Sequence, residues 1–163
     1  MSASLPAQSC DDGTARAVTR GVLRLFSRND MFGVSEVPLP NGRRADIMAI
    51  DAKGELVIVE IKCSRADLLG DAKWPEYFDY CDRFYWAVPV GFDLGPFDGD
   101  NLWPHRTGLI CADQYDADIL RAAPAEPLAA ARRKAETLRF ARRAAKRLSL
   151  LHDPDMIGEA GGW

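Results

Sequence analysis

Three charged side chains, Asp46, Glu60 and Lys62, interrupt two runs of residues that are otherwise apolar and largely β-branched. A short polar stretch, residues 51–54, separates the two runs. This pattern predicts a β-hairpin. A charge that is buried without a partner is strongly destabilising, so charges kept on core strands indicate a chemical use.

The predicted hairpin brings the two acidic residues together. Side chains alternate across a strand, so Glu60 and Lys62 share a face. Folding about residues 52 and 53 places Asp46 opposite or diagonal to Glu60, and directly opposed residues have Cβ atoms about 4.5–5.5 Å apart. Two carboxylates at that distance repel each other, and a divalent cation relieves the repulsion.

We therefore expect Mg²⁺ or Mn²⁺ at this pair. Mg²⁺ binds one or two carboxylates at about 2.0–2.1 Å, keeps several waters and often holds a substrate phosphate. The backbone carbonyl of Ile61 is a further candidate ligand. Lys62 would stand beside the metal, where it orients a water, lowers the pKa of that water or neutralises charge on a phosphate.

Each of these residues also has a plainer interpretation. The alternative for the site as a whole is a solvated edge strand on which Lys62 forms a salt bridge, since short acid-x-Lys motifs often occur by chance. Arg44 lies two residues before Asp46 and shares its face. It either holds a substrate phosphate or pairs with Glu36 or Glu60.

The hairpin sequence resembles the PD-(D/E)XK nuclease superfamily. Asp46 matches the family Asp, and Glu60-Ile61-Lys62 matches the E-x-K, whereas Ala45 replaces the usual Pro before the Asp. The resemblance implies a restriction endonuclease-like core and a metal-dependent nuclease, with Asp46, Glu60 and Lys62 as the catalytic residues.

Further site residues rest on the same resemblance. Members of the superfamily often carry an extra acidic metal ligand, for which Glu36 is the nearest candidate; the alternative is that Glu36 pairs with Arg43 or Arg44. Several members carry Gln-x-x-x-Tyr on the helix after the E-x-K. Residues 73–77 look like a variant with Lys73 in place of the Gln, which implies that Lys73 and Tyr77 contact DNA. The alternative is that the aromatic side chains of this segment pack the helix on the sheet.

The rest of the sequence supplies the elements that position these side chains. A helix between the hairpin and the next strand predicts that this strand runs parallel to its partner. We expect an α/β fold with a mixed β-sheet in αβββαβ order, flanked by helices. The predicted helices cover about 12–27, a segment after 64 and 128–150; the predicted strands cover 31–37, the two hairpin arms, 84–90, 108–113 and 118–121.

Two basic surfaces stand out in a chain whose net charge is −3. The long C-terminal helix, residues 128–150, is the best candidate for binding the DNA backbone. Its candidate contacts are Arg132, Arg133, Arg139 and Arg143. The first helix carries a stripe of arginines four residues apart, which is either a solvated face or a track for phosphates. That stripe consists of Arg16, Arg20, Arg24 and Arg28.

Composition limits the class of protein. The 163 residues, of which 47% are hydrophobic, suffice for one domain with a core. We expect a disordered N-terminus over 1–11, a single nuclease-like domain over 12–150 and a flexible tail over 151–163. Four dispersed cysteines and two histidines form no zinc motif, which favours reduced thiols in the cytoplasm. No stretch is apolar enough to cross a membrane, and the first residues lack a signal-peptide pattern.

From Ser35 to about Arg147 the chain looks like the MmcB-type bacterial DNA repair proteins. The resemblance is carried by the motifs at residues 43–46, 59–62, 73–77, 79–82 and 131–134. It implies a role in DNA repair, with branched or damaged DNA and repair proteins as partners. Many nucleases of this fold cut both DNA strands as dimers, so the resemblance is compatible with a homodimer.

The leading hypothesis is a metal-dependent nuclease that hydrolyses DNA phosphodiester bonds. The alternative is a catalytically weak or inactive protein of the same fold that binds DNA or recruits repair partners. A third interpretation, the nuclease half of a toxin or restriction system, is disfavoured because the sequence contains no second domain.

Overall fold

The computed structural model describes residues 11–159, in two compact units, 11–128 and 129–159. The predicted disorder of residues 1–10 and the last four residues of the predicted tail lie outside the described residues. Within the described residues, no helix combines the length and the apolarity needed to cross a membrane.

The first unit is built on a six-stranded mixed sheet whose strand order follows the chain. The β3–β4 and β4–β5 pairs are parallel and the other three are antiparallel. The predicted mixed α/β architecture and the parallel β3–β4 pair are therefore confirmed. The strands are β1 (Met31–Pro38), β2 (Arg44–Asp51), β3 (Leu56–Ile61), β4 (Arg83–Pro89), β5 (Thr107–Ala112) and β6 (Ala117–Arg121).

The turn between β2 and β3 sets the register of the hairpin. Gly54 adopts a left-handed conformation, with φ of 84°, as a three-residue hairpin loop requires. The Asp51 Oδ1 atom accepts the backbone N–H groups of Lys53 and Glu55 and holds the turn in shape. The resulting register places Ile47 directly opposite Val59.

One face of the sheet is covered by helix α1 (Asp12–Arg28). Its buried residues Val18, Val22 and Leu25 recur at helical spacing and pack in one core cluster with the sheet. Gly21 allows α1 to approach the β5–β6 turn closely. A Cβ atom there would lie 2.1 Å from the carbonyl oxygen of Asp113 and 2.6 Å from that of Asp116.

The opposite face is aromatic. The chain between β3 and β4 forms helix α2 (Arg65–Gly70) and a 3₁₀ helix over Trp74–Tyr80. Trp74, Tyr77 and Tyr80 are all buried, and their spacing of three matches the 3₁₀ turn, which is why this segment does not continue as an α-helix. The ring of Trp74 lies 5.0 Å from that of Trp86 on β4.

The second unit consists of helix α3 (Ala130–His152) and a 3₁₀ helix over Pro154–Glu159. Helix α3 begins and ends two residues later than the range predicted from the sequence. It contains no proline or glycine, and its alanines and arginines have high helix propensity.

Candidate active site at the β2–β3 fork

Strands β2 and β3 separate at the position of the two acidic residues. Their last paired residues are Ile47 and Val59, and one step further the same register sets Asp46 against Glu60. The Glu60 Oε1 atom accepts the Asp46 N–H at 3.1 Å, and the Asp46 Oδ2 atom accepts the Ile61 N–H at 2.7 Å. The two carboxylates thus replace strand-to-strand hydrogen bonds at the fork.

Burial and mutual repulsion change how this pair titrates. Glu60 is 5% exposed. Burial, followed by the charge of Asp46, raises the pKa of Glu60 to about 8. Burial also raises the pKa of Asp46, although the Ile61 N–H and the Lys62 ammonium oppose this shift. At neutral pH the free site therefore holds a proton that a cation would have to displace.

Lys62 lies at the same fork and is 5% exposed. Its Nζ atom lies 3.1 Å from Asp71 Oδ2, 3.7 Å from Asp67 Oδ1 and 5.9 Å from the centre of the Trp86 ring. Burial lowers the pKa of Lys62, but Asp67 and Asp71 more than offset it, so that the pKa is raised. Lys62 is therefore an ammonium at neutral pH, suited to balance negative charge and unsuited to accept a proton.

Tyr77 and Lys73 occupy different surroundings. Tyr77 is buried, and its hydroxyl donates to the carbonyl oxygen of Arg44 at 3.0 Å. Burial and the charge of Glu60 raise the pKa of Tyr77. Lys73 is exposed just before the 3₁₀ helix. Tyr77 lies within the 3₁₀ helix and Lys73 precedes it, so the contact of these two residues with DNA stays a prediction.

Glu36 lies across β2 from the fork. The β1–β2 register sets it against Asp46, and its backbone is left-handed, with φ of 51°, which is uncommon for a residue other than glycine. Its Oε1 atom lies 3.8 Å from the Nη1 atom of Arg44, and both side chains are exposed. Arg44 therefore pairs with Glu36 at the surface, and its contact with a substrate phosphate stays a prediction.

An open cleft of about 920 Å³ exposes the fork. One side consists of the strand ends and the start of α2, with Glu36, Arg44, Asp46, Glu60, Ile61, Lys62 and Asp67 among its lining residues. The other side is a face of α1, which contributes Arg16, Arg20 and Arg24. Three of the four arginines of the first-helix stripe therefore line the same cleft as the acidic pair.

The donor set at the fork fits a hard divalent cation. Among the described residues, no cluster of three or more His, Cys, Asp or Glu side chains could hold a metal. Two carboxylates and the Ile61 carbonyl are sufficient for Mg²⁺, which keeps several waters and takes further oxygens from a phosphate. Burial and, after it, the charge of Asp46 raise the pKa of Glu60, and a cation would relieve the repulsion between the two carboxylates.

The arginines predicted on the C-terminal helix lie in the second unit. Arg132 and Arg139 both pair with Glu136, which is 1% exposed. Arg133 and Arg143 lie on the same helix. Part of the basic charge of α3 is therefore balanced within the helix, at spacings of four and three residues.

The partners of Lys62 had no signal in the sequence. Asp67 and Asp71 follow Lys62 at five and nine residues, a spacing that predicts no contact until α2 folds the chain back. Elsewhere in the first unit, Cys81 and Cys111 are free thiols, as expected from the dispersed cysteines.

Comparison with known proteins identifies the family of this chain and one solved structure that is similar to it. The family model described as MmcB-like, DNA repair protein MmcB-like, matches residues 4–155. A solved structure of a protein of unknown function from Silicibacter pomeroyi is 42% identical to this chain, with a TM-score of 0.77. That match covers 93% of this chain and 97% of the other. No curated protein matches the chain.

Proposed function

The chain belongs to the MmcB-like family of DNA repair proteins, and we propose that it is a metal-dependent deoxyribonuclease of the PD-(D/E)XK type. The family supports a role in DNA repair. The hydrolysis of phosphodiester bonds, and the restriction endonuclease-like character of the core, are our proposal from the chemistry of the fork.

A single observation carries this proposal. Asp46 and Glu60 lie side by side at the end of two buried strands, with the Lys62 ammonium at the same fork and an open cleft in front. Keeping two carboxylates this close is unfavourable, since burial and repulsion raise the pKa of Glu60 to about 8. A structural hairpin has no need of such a pair, whereas a cation site does.

The residues have distinct roles in the proposed reaction. Asp46, Glu60 and the Ile61 carbonyl would hold Mg²⁺ or Mn²⁺, which supplies Lewis-acid polarisation of the phosphate and a water of lowered pKa. Lys62 stays protonated and stabilises negative charge on the phosphate in the transition state. Arg44, exposed on the rim, holds a neighbouring phosphate.

The test is a cleavage assay on single-stranded, duplex and branched DNA, with Mn²⁺, with Mg²⁺ and with EDTA. We expect cleavage that depends on the metal. Asp46→Asn, Glu60→Gln and Lys62→Met should each lower the rate about 100-fold or more. The first two variants keep an acceptor oxygen for the backbone N–H groups at the fork, so the fold should survive.

Asp118→Asn is the matched control, because Asp118 is an exposed carboxylate on β6 and does not line the cleft. It should cleave at the wild-type rate. Wild-type rates in the Asp46→Asn and Lys62→Met variants, or cleavage that persists in EDTA, would contradict the proposal.

A second candidate, a DNA-binding protein without turnover, has one observation in its favour. Lys62 is held by Asp71 at 3.1 Å and by Asp67 at 3.7 Å, and this pairing reduces the charge that it offers to a phosphate. This candidate expects DNA binding by the wild type without cleavage under any metal condition in the same assay.

A further inference from the structure

We propose that the face of α1 that lines the cleft is a phosphate track, and that it selects a single strand of DNA. Arg16, Arg20 and Arg24 line the cleft with the fork opposite them. Residues four apart in an α-helix are about 6 Å apart along the axis and lie on one side. The three guanidinium groups therefore form a row that leads along the cleft. Binding of the strand does not depend on the proposed function; only its cleavage at the fork does.

The arginines of the stripe differ in what they already bind. Arg24 donates to the carbonyl oxygen of Tyr115 at 3.1 Å, and Arg28 pairs with Asp116. Arg16 and Arg20 are exposed and form no ion pair or hydrogen bond through their side chains with any residue in 11–159. Two unpaired guanidinium groups in a cleft are placed to bind anions, and a row of them fits a chain of phosphates.

The dimensions of the cleft favour a single strand. Its volume of about 920 Å³ lies in the range of pockets that enclose one organic ligand, about 300–1,000 Å³. A short run of nucleotides fits such a space. Because α1 forms one side of the cleft opposite the fork, we expect a strand to leave its duplex to reach Asp46 and Glu60.

The residues that line the cleft also predict how strongly binding depends on the base sequence of the strand. Within residues 11–159, no aromatic side chain lines the cleft, so these residues offer bases no stacking platform there. Recognition through arginine and phosphate alone depends little on sequence and strongly on salt. The net charge of −3 excludes general attraction, so the affinity must come from a local surface.

The test measures binding in EDTA, where the proposed metal-dependent cleavage is prevented. A fluorescein-labelled thymidine 20-mer is titrated with the full chain by anisotropy, from low to moderate KCl. The double variant Arg16→Ala/Arg20→Ala should raise Kd about tenfold at low salt. Since each phosphate contact on a single strand contributes about 0.7 to the salt slope, losing two contacts should lower the slope by about 1.4.

The matched control is Arg28→Ala, which removes an arginine of the same stripe that is paired and does not line the cleft. It should leave Kd within about twofold, as expected for an exposed pair worth little. A blunt duplex of the same length should compete at least tenfold less well than the single strand. Thermal melting of each variant checks that α1 is intact.

Several results would overturn the inference: no binding of the 20-mer by the wild type, an unchanged Kd and slope in the double variant, an equal loss in Arg28→Ala, or equal competition by duplex. The two proposals can fail separately. Binding as described without any metal-dependent cleavage would refute the nuclease alone. Metal-dependent cleavage with wild-type binding by the double variant would refute the track alone.

Discussion

The carboxylates of Asp46 and Glu60 each accept a backbone hydrogen bond from the opposite strand at the fork. Glu60 accepts from the N–H of Asp46, and Asp46 accepts from the N–H of Ile61. The pair therefore closes the end of the hairpin and at the same time forms the acidic part of the cleft. Each carboxylate binds a backbone donor through one oxygen, and this fixes the orientation of its second oxygen.

This relationship makes the stability of the metal-free protein depend on pH. The pKa of Glu60 is raised to about 8 in the folded state, from an ordinary value of 4.5. Between these values the folded chain holds a proton that the unfolded chain releases, so stability falls as pH rises and the loss is complete above about pH 8. We expect a lower free energy of unfolding at pH 9 than at pH 6, measured by urea denaturation in EDTA.

Glu60→Gln isolates this contribution. The glutamine keeps an acceptor for the Asp46 N–H but has no charge to bury, so the difference between pH 6 and pH 9 should shrink by several kcal/mol at most. Asp118→Asn, on the exposed surface of β6, should keep the wild-type difference. An identical pH dependence in Glu60→Gln and wild type would show that Glu60 is ionised in the free protein.

Asp71 is expected to act as a positioning residue for Lys62. Its Oδ2 atom lies 3.1 Å from the Lys62 Nζ atom, and its charge contributes to the raised pKa of that lysine. Asp71→Asn should lower the pKa of Lys62 and free the ammonium to move. In the cleavage assay we expect a rate about tenfold lower, with the alkaline limb of the pH–rate profile moved to lower pH and KM little changed.

A purely structural role for Asp71 would lower the amount of folded protein without moving the pH profile. Asp93→Asn is the control, since Asp93 forms an exposed pair with Arg65 and none with Lys62. Its profile should match that of the wild type. A profile for Asp71→Asn that also matches the wild type would end the assignment.

The hairpin was predictable because its information is local. Two apolar runs and the turn at 51–54 predict a hairpin in which Asp46 lies opposite or diagonal to Glu60, and the register of the folded hairpin sets the two directly opposite. The partners of Lys62 were not predictable, because Asp71 reaches it through the turn of a short helix and not through any periodic spacing. The 3₁₀ helix was missed because aromatic residues three apart also fit an α-helix, until tertiary packing buries all three.

Gly21 should control where the arginine face of α1 lies. A Cβ atom at this position would overlap two backbone oxygens of the β5–β6 turn, and backbone cannot give way as a side chain can. Gly21→Ala gains about 1 kcal/mol of helix propensity. We nevertheless expect a net destabilisation of about 2 kcal/mol from overpacking, together with weaker binding of the thymidine 20-mer because α1 is displaced.

Gly13→Ala provides the comparison within the same helix. A Cβ atom there meets only the side chain of Asp11, at 3.2 Å, which can rotate away. It should be neutral or slightly stabilising by urea denaturation, with unchanged DNA affinity. Equal stability of the two variants would mean that the contact between α1 and the β5–β6 turn is not tight in solution.

Asp82 holds three segments of the first unit together. Its Oδ2 atom accepts the buried Leu56 N–H at the start of β3, and its Oδ1 atom accepts the Leu128 N–H, each at 2.8 Å. Asp82→Ala would leave a buried donor unpaired at β3. The expected cost is about 2–4 kcal/mol, since an unpaired buried donor costs about 1–3 kcal/mol and packing is lost as well.

The conservative variant separates the two hydrogen bonds. Asp82→Asn keeps one acceptor oxygen, which should turn to the buried Leu56 N–H, because the half-buried Leu128 N–H can bind water instead. Its cost should therefore be smaller, about 1 kcal/mol. Asp79→Ala, at an exposed position nearby, should change stability by less than about 0.5 kcal/mol. If Asp82→Asn proved as costly as Asp82→Ala, the charge of Asp82, and not its acceptor oxygen at Leu56, would be what stabilises this junction.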